Sequence, residues 1–231
     1  MPSTESLVGR PGDAAVVTSA DGSAFIVMTP VPSITRDRGK SWASVRGLSP
    51  GTRVIADRVD ARSFYALDFE HSTLFVSTDG GSTFASAKTV GLPADIRDDR
   101  PSSSERPWPL LATPGKGGDL WFVARAGLFH SSDAGRSFGL IRSPLRLEAL
   151  GFGKAPPGRS SPALFAIGVR DDARAIWRSD DLGATWVRLN DSRHEYGLRF
   201  RCIAGDPRVF GRVYVGTDGR GIVYGEPLRS P

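Results

Sequence analysis

At 231 residues, with 39% hydrophobic and 24% charged side chains, the chain has a globular composition and enough length for one domain with a sizeable core. No apolar run approaches the roughly 18 residues that a membrane-spanning helix needs. The opening "MPSTESLVGRPGD" lacks the basic start and apolar stretch of a secretory signal. The net charge of +5 sits on arginines scattered through turns, without a basic stripe or helix, so neither nucleic acid nor a membrane is expected as a partner.

In chain order, short alternating apolar segments follow one another, punctuated by Gly, Pro, Asn and Asp. "SFYALD" and "TLFVS" come first, then "DLWFVA" and "GLFHS", then "ALFAIG" and "AIWRS". No window has a helical period. A short pattern occurs four times, "TRDRGKSW" at 35–42, "STDGGSTF" at 77–84, "SSDAGRSF" at 131–138 and "SDDLGATW" at 179–186, the last three directly after "TLFVS", "GLFHS" and "AIWRS". Its terminal aromatics Trp42, Phe84, Phe138 and Trp186 lie 42, 54 and 48 residues apart. A unit of 40–50 residues with about four short strands is one propeller blade. The expected fold is therefore all-β: a β-propeller of four to five blades of four antiparallel strands, or an incomplete seven-bladed ring. The blades fall at about 13–50, 51–91, 108–145 and 146–191, with a final partial blade at 200–226, in a single domain over 1–231. The polar segment 97–109, "RDDRPSSSERPWP", is expected as an extra loop.

Within the repeated pattern, Asp and Gly suit a tight turn, and the Ser/Thr hydroxyls can bond the same backbone. An Asp repeated at the same turn of every blade cannot converge on one active site. Asp37, Gly39 and Trp42, Asp79, Gly81 and Phe84, Asp133, Gly135 and Phe138, and Asp181, Gly183 and Trp186 are therefore read as structural. Each such turn supplies few carboxylates for calcium. The histidines His71, His130 and His194 are far apart, so no metal or cofactor is expected. The lone Cys202, with the apolar Phe200 and Ile203 near it, is read as a small buried core residue.

The pattern resembles the Asp-box, or BNR repeat, which several unrelated functions share. The rest of the chain is more selective. "TSADGSAFIVMTP", "GLSPGTRVIADRVDARSFYALD", "GKAPPGRSSPALF", "WVRLNDSRHEYG" and above all "IAGDPRVFGRVYVGTDGRGIVYGE" resemble, in order, the C-terminal region of glycoside hydrolase family 74. Members of that family are xyloglucanases and oligoxyloglucan cellobiohydrolases. The resemblance implies two seven-bladed propellers facing each other, inverting hydrolysis of the β-1,4-glucan backbone of xyloglucan by two aspartates, and a secreted or periplasmic location. It also implies an N-terminal propeller as a partner, on another chain or a segment outside this one. The family segments that carry its catalytic acid and base are not found here, so no catalytic residue is assigned. The alternative reading is a non-catalytic propeller that binds carbohydrate or protein.

Inverting hydrolysis needs an acid and a base carboxylate about 6.5–9.5 Å apart. The candidate carboxylates outside the boxes are Asp57, Asp60, Asp68, Asp98, Asp99, Glu105, Asp171, Asp172 and Glu195, and none sits in a pattern that demands catalysis. Asp57 is expected to pair with Arg58, and Asp171-Asp172 to form a hairpin turn. For sugar contact the residues singled out are Trp108 in the extra loop, His194 and Tyr196 after the fourth blade, and Arg220 between two glycines.

Overall fold

The computed structural model describes residues 15–29, 31–49, 51–101, 107–191, 193–194 and 200–227. Among these it is all-β, apart from one 3-10 turn at Arg97–Asp99 inside the polar segment 97–109. The strands form five antiparallel sheets in chain order. The first holds β1 (Ala15–Thr18), β2 (Phe25–Met28), β3 (Ser33–Thr35) and β4 (Ala43–Ser44). The second holds β5 (Val54–Ala56), β6 (Phe64–Asp68), β7 (Thr73–Ser77) and β8 (Ala85–Ser86). The third holds β9 (Leu110–Ala112), β10 (Leu120–Ala124), β11 (Gly127–Ser131) and β12 (Gly139–Ile141). The fourth holds β13 (Arg146–Gly153), β14 (Ala163–Arg170), β15 (Ala173–Ser179) and β16 (Val187–Arg188). The fifth has three strands, β17 (Phe200–Gly205), β18 (Val213–Thr217) and β19 (Ile222–Gly225).

The chain groups into two compact units, one of 1–100, 110–121 and 130–139, the other of 101–109, 122–129 and 140–231. In the first, one face of the first sheet (Ile26, Met28, Ile34) meets one face of the second (Val54, Ala56, Phe64, Ala66), with Phe84 in the same cluster. In the second unit, Ala149, Ala163, Phe165, Ile167 and Ile176 of the fourth sheet meet Ile203, Val213 and Val215 of the fifth. The period of two along each strand produces this pattern, placing alternate side chains on one face. Strands β6 and β10 are buried along their whole length, because both of their faces are covered.

The same alternation corrects the reading of Cys202. Ile203 points into the cluster with Val213 and Val215, so its neighbour Cys202 faces the other way and is exposed. Asp171 and Asp172 do form the two-residue turn between β14 and β15, where Arg170 pairs with Ala173. Both have positive φ, 50° and 58°, as a two-residue hairpin of the primed type demands.

The repeated turn is what lets one sheet approach the next. Gly135 has φ +82°, and a Cβ there would stand 2.1 Å from Leu74 Cδ2 of β7. Gly115 has a similar φ of +75° but opens onto empty space. Gly115→Ala therefore isolates the backbone cost, about 1 kcal/mol, whereas Gly135→Ala adds the clash and should cost about 2–4 kcal/mol in all. Urea unfolding of the two variants measures the difference; equal losses would show that the turn does not press on the sheet before it.

Candidate functional site

The four boxes share one hydrogen-bond scheme. The Asp Oδ1 accepts from the hydroxyl two residues earlier: Thr35 at 2.9 Å, and Ser77, Ser131 and Ser179 at 2.8 Å each. It also accepts from the backbone N–H four residues later, at 2.8–3.0 Å, in Ser41, Thr83, Ser137 and Thr185. The hydroxyls of those four residues donate to Oδ2 at 2.5–2.6 Å. The first hydroxyl in turn accepts from the glycine N–H, at 2.8–3.0 Å. Trp42 and Trp186 close the turn by donating Nε1–H to the box glycine carbonyl at 3.1 and 3.0 Å. Phe84, Phe138 and Trp186 are buried, while Trp42 is half-buried.

Each box carboxylate is thus saturated by its own turn. The Ser41 hydroxyl and amide hold Asp37 at about 2, and Ser137 does the same for Asp133. At Asp79 burial pushes the other way, but the Thr83 hydroxyl and amide prevail and hold it at about 2. Asp181 is lowered in the same manner by Thr185 against burial.

A second repeat lies at the turn between the first two strands of a blade. Asp57 follows β5 and accepts from the amides of Val59 and Asp60 at 2.8 Å each and from the Tyr65 hydroxyl at 3.0 Å. The Gly118 N–H, from the turn ahead of β10, donates at 2.7 Å to Oδ2, the oxygen that also accepts from Tyr65. The expected Asp57–Arg58 ion pair is not formed among the described residues; the turn and the phenol take the carboxylate instead. Burial, then the Asp57 charge, raises the Tyr65 pKa. Asp206 repeats the arrangement eight residues before Tyr214, bonding the amides of Arg208 and Val209 at 2.7 and 2.9 Å and the Tyr214 hydroxyl at 2.9 Å. The Arg208 amide and then the Tyr214 hydroxyl hold it at about 2.

In the third sheet the same spacing joins Thr113 to Trp121, whose Nε1–H donates to Oγ1 at 2.9 Å. Here a further carboxylate enters. Asp119 accepts from the Thr113 hydroxyl, from Trp121 Nε1–H at 3.2 Å, and pairs with His130 Nε2 at 3.0 Å. The His130 ring stacks on Trp121 with centroids 4.1 Å apart. Burial pushes Asp119 up, but the His130 and Thr113 bonds outweigh it and leave the carboxyl lowered. A buried Asp–His pair resembles an acid–base couple. Both Asp119 oxygens are occupied by side chains of the sheet, so the cluster clamps β9, β10 and β11 together.

Asp60 and Asp68 are likewise held by their own turns. Asp60 takes the Ser63 hydroxyl and the Arg62 amide. Asp68 ends β6 and takes the amides of Glu70 and His71 and the His71 ring. Asp98 and Asp99 lie in the 3-10 turn, and Asp171 and Asp172 in the hairpin. Glu105 and Glu195 lie outside the described residues, as does Tyr196. Of the residues singled out for sugar contact, Trp108 is half-buried just ahead of β9. His194 is exposed after β16, with its ring on Asp191 at 2.7 Å. Arg220 is exposed at the tip of the β18–β19 turn, its N–H donating to the Thr217 hydroxyl at 3.1 Å. They stand on three separate loops.

Five antiparallel sheets of three or four strands, the first four carrying the same turn between their third and fourth strands, define the chain as β-propeller blades. Comparison with known proteins gives the particular relatives. The chain is 40% identical over 228 residues to a xyloglucanase of Paenibacillus sp, covering 95% of this chain and 21% of that protein. It is 41% identical over 220 residues to xyloglucanase Xgh74A of Acetivibrio thermocellus, covering 94% and 24%. It spans about a fifth to a quarter of the length of the curated relatives it matches. The crystal structure of the GH74 xyloglucanase from Xanthomonas campestris superposes with a TM-score of 0.79 at 32% identity, over 95% of this chain and 31% of that one. YCF48 bound to D1 peptide shares the fold alone, with a TM-score of 0.57 at 15% identity. No protein-family model matches the chain. The resemblance to family 74 seen in the sequence holds along nearly the whole chain.

Two outcomes follow for the carboxylates. The box aspartates have folded-state pKa values below the ordinary carboxylate value near 3.9, so their stabilisation is complete above that pH. It is lost as pH falls through about 2, the value of Asp79. Asp79→Asn should lower the Tm at neutral pH and make it fall less steeply between about pH 4 and 2; an unchanged slope would contradict the role. Asp119→Ala leaves Thr113, Trp121 and His130 without their common acceptor and should cost about 2–4 kcal/mol in urea unfolding. A loss below about 1 kcal/mol would mean that water replaces the carboxylate.

Proposed function

We propose that the chain is the C-terminal propeller part of a xyloglucan-hydrolysing, inverting glycoside hydrolase and is inactive alone. The observation that carries this reading is the identity of about 40% to xyloglucanases along 95% of the chain. The carboxylates support the second half. Asp57, Asp60, Asp68, Asp119 and the four box aspartates are each engaged by local turn or clamp partners, whereas inverting hydrolysis needs one to hold a proton and another a water. On this reading Trp108, His194, Tyr196 and Arg220 contribute to holding the glucan, the aromatics by stacking and the guanidinium through sugar hydroxyls. The acid and base come from the propeller part outside this chain.

Reducing-end release from xyloglucan by the purified chain should equal that of a heat-killed control. Sustained release above it would place the acid and base within these 231 residues and overturn the proposal. Retardation of the chain in a xyloglucan-containing native gel should accompany that inactivity, and Trp108→Ala should weaken it.

A further inference from the structure

In each of the first four sheets the box stands at one end, and the four boxes are built alike. The connections at the opposite ends differ in length and sequence from sheet to sheet. Variable loops on a repeated scaffold are where binding side chains concentrate. The fourth and fifth sheets, both within the second compact unit, bring two such ends together. Gly151 lies against the Ile203 carbonyl and Gly153 against Gly205, so β13 and β17 run side by side in one direction from that end. β18 finishes there, since Thr217 pairs with Phe200, and the Thr217–Gly221 turn that carries Arg220 follows.

The fourth sheet places a carboxylate at this end by breaking its register. Leu147 pairs with Gly168 and Ala149 with Ile167, which leaves Glu148 as the extra residue of a β-bulge. Such bulges re-aim a side chain. Arg146, Val169 and Arg174 form one row across three strands, on one face of the sheet. Glu148 turns onto that row. Its Oε1 accepts from Arg174 Nη2 at 3.0 Å and pairs with Arg146 Nη1 at 3.2 Å, while its Oε2 pairs with Arg174 Nε at 2.8 Å. The Asn190 side chain accepts from the Ile176 amide at 2.8 Å and donates to the His194 carbonyl at 3.1 Å, which holds the His194 loop beside the same strand, β15.

Partly exposed ion pairs gain little for the fold, because the charges give up hydration to meet. This set instead presents charged hydrogen-bonding groups to a ligand. The Glu148 side chain is 26% exposed and that of Arg146 63%. The three contacts leave about one of the roughly four acceptor positions of the carboxylate open. Arg146 spends one nitrogen on Glu148. A sugar hydroxyl is donor and acceptor at once. Adjacent hydroxyls of a pyranose therefore match the pair, one donating to Glu148 and its neighbour accepting from Arg146. We infer that Glu148 and Arg146, at the end of the fourth sheet opposite its box, form a binding site for adjacent hydroxyls of a neutral polysaccharide. The choice of a sugar as ligand rests on the proposed function; the site itself rests on the bulge and the ion pairs.

Affinity electrophoresis of the whole chain tests it, in native gels holding xyloglucan, mixed-linkage β-glucan, galactomannan or methylcellulose, whose hydroxyls are capped. Glu148→Gln and Arg146→Ala should each weaken the retardation by xyloglucan about tenfold, with an unchanged Tm. Methylcellulose should retard none of the three proteins. Xyloglucan retardation that the variants leave intact overturns the inference, while the proposed function stands. Retardation by mixed-linkage β-glucan or galactomannan but not by xyloglucan, lost in both variants, keeps the site and removes the substrate of the proposed function. No retardation in any gel overturns the site, whereas the proposed function is decided by its own assay of reducing-end release. Equal retardation by methylcellulose also overturns the site, as does a loss in only one of two folded variants. Should Glu148→Gln fail to fold, Arg146→Ala, at the more exposed position, decides alone.

Discussion

The constraint on which the structure depends is the close approach of the second, third and fourth boxes to the sheet before each of them. The turn needs consecutive left-handed residues, Arg38-Gly39, Gly80-Gly81, Ala134-Gly135 and Leu182-Gly183. Left-handed backbone costs about 1–2 kcal/mol for a residue with a Cβ. The Asp offsets that cost by binding the amide and hydroxyl four residues on, which fixes the turn in one shape. The glycine, lacking a Cβ, then lies against the apolar side chains of the preceding sheet. Gly183 follows the same rule against Leu128 and Ile141. Carboxylate and glycine therefore do one job together, and neither is available for chemistry.

A consequence is that the apolar packing between sheets and the polar turns reinforce each other. The segments after the fourth strands add to this. Arg46 bonds Ser82 and Phe84 through its backbone, and Val90 bonds Arg136 and Phe138 in the same way. Arg36 reaches the carbonyls of Asp79 and Gly80 and the Ser82 hydroxyl. The first sheet is thus tied to the second box, and the second sheet to the third box, by backbone hydrogen bonds as well as by burial. That arrangement suits a rigid scaffold holding loops such as those of Trp108, His194 and Arg220.

Much of this architecture was legible in the sequence, because the box is a local motif. Its Asp, Gly, hydroxyl and aromatic positions are fixed within eight residues, and the alternating segments ahead of it match β7 and β11 residue for residue. The Asp–aromatic pairs were harder to see. Asp57–Tyr65, Thr113–Trp121 and Asp206–Tyr214 share a spacing of eight, but the first partner changes type and the distance to the next box varies. Asp119–His130 was out of reach, since it joins a turn to the next strand and occurs in one blade. Cys202 was misjudged because neighbouring apolar residues do not reveal which face of a strand a side chain takes. The sugar contacts remain a matter of resemblance. Such contacts lie on loops that differ from blade to blade, where no repeat helps.

Hydrogen–deuterium exchange of the box amides tests the central claim most directly. The N–H groups of Gly81, Gly135 and Gly183, and of Thr83, Ser137 and Thr185, lie in turns, where exposed amides ordinarily exchange fast. If the boxes fasten the sheets, these amides should exchange as slowly as those of β6 and β10 and open together with them. Exchange at the rate of the β14–β15 turn, with the strands still protected, would contradict the account.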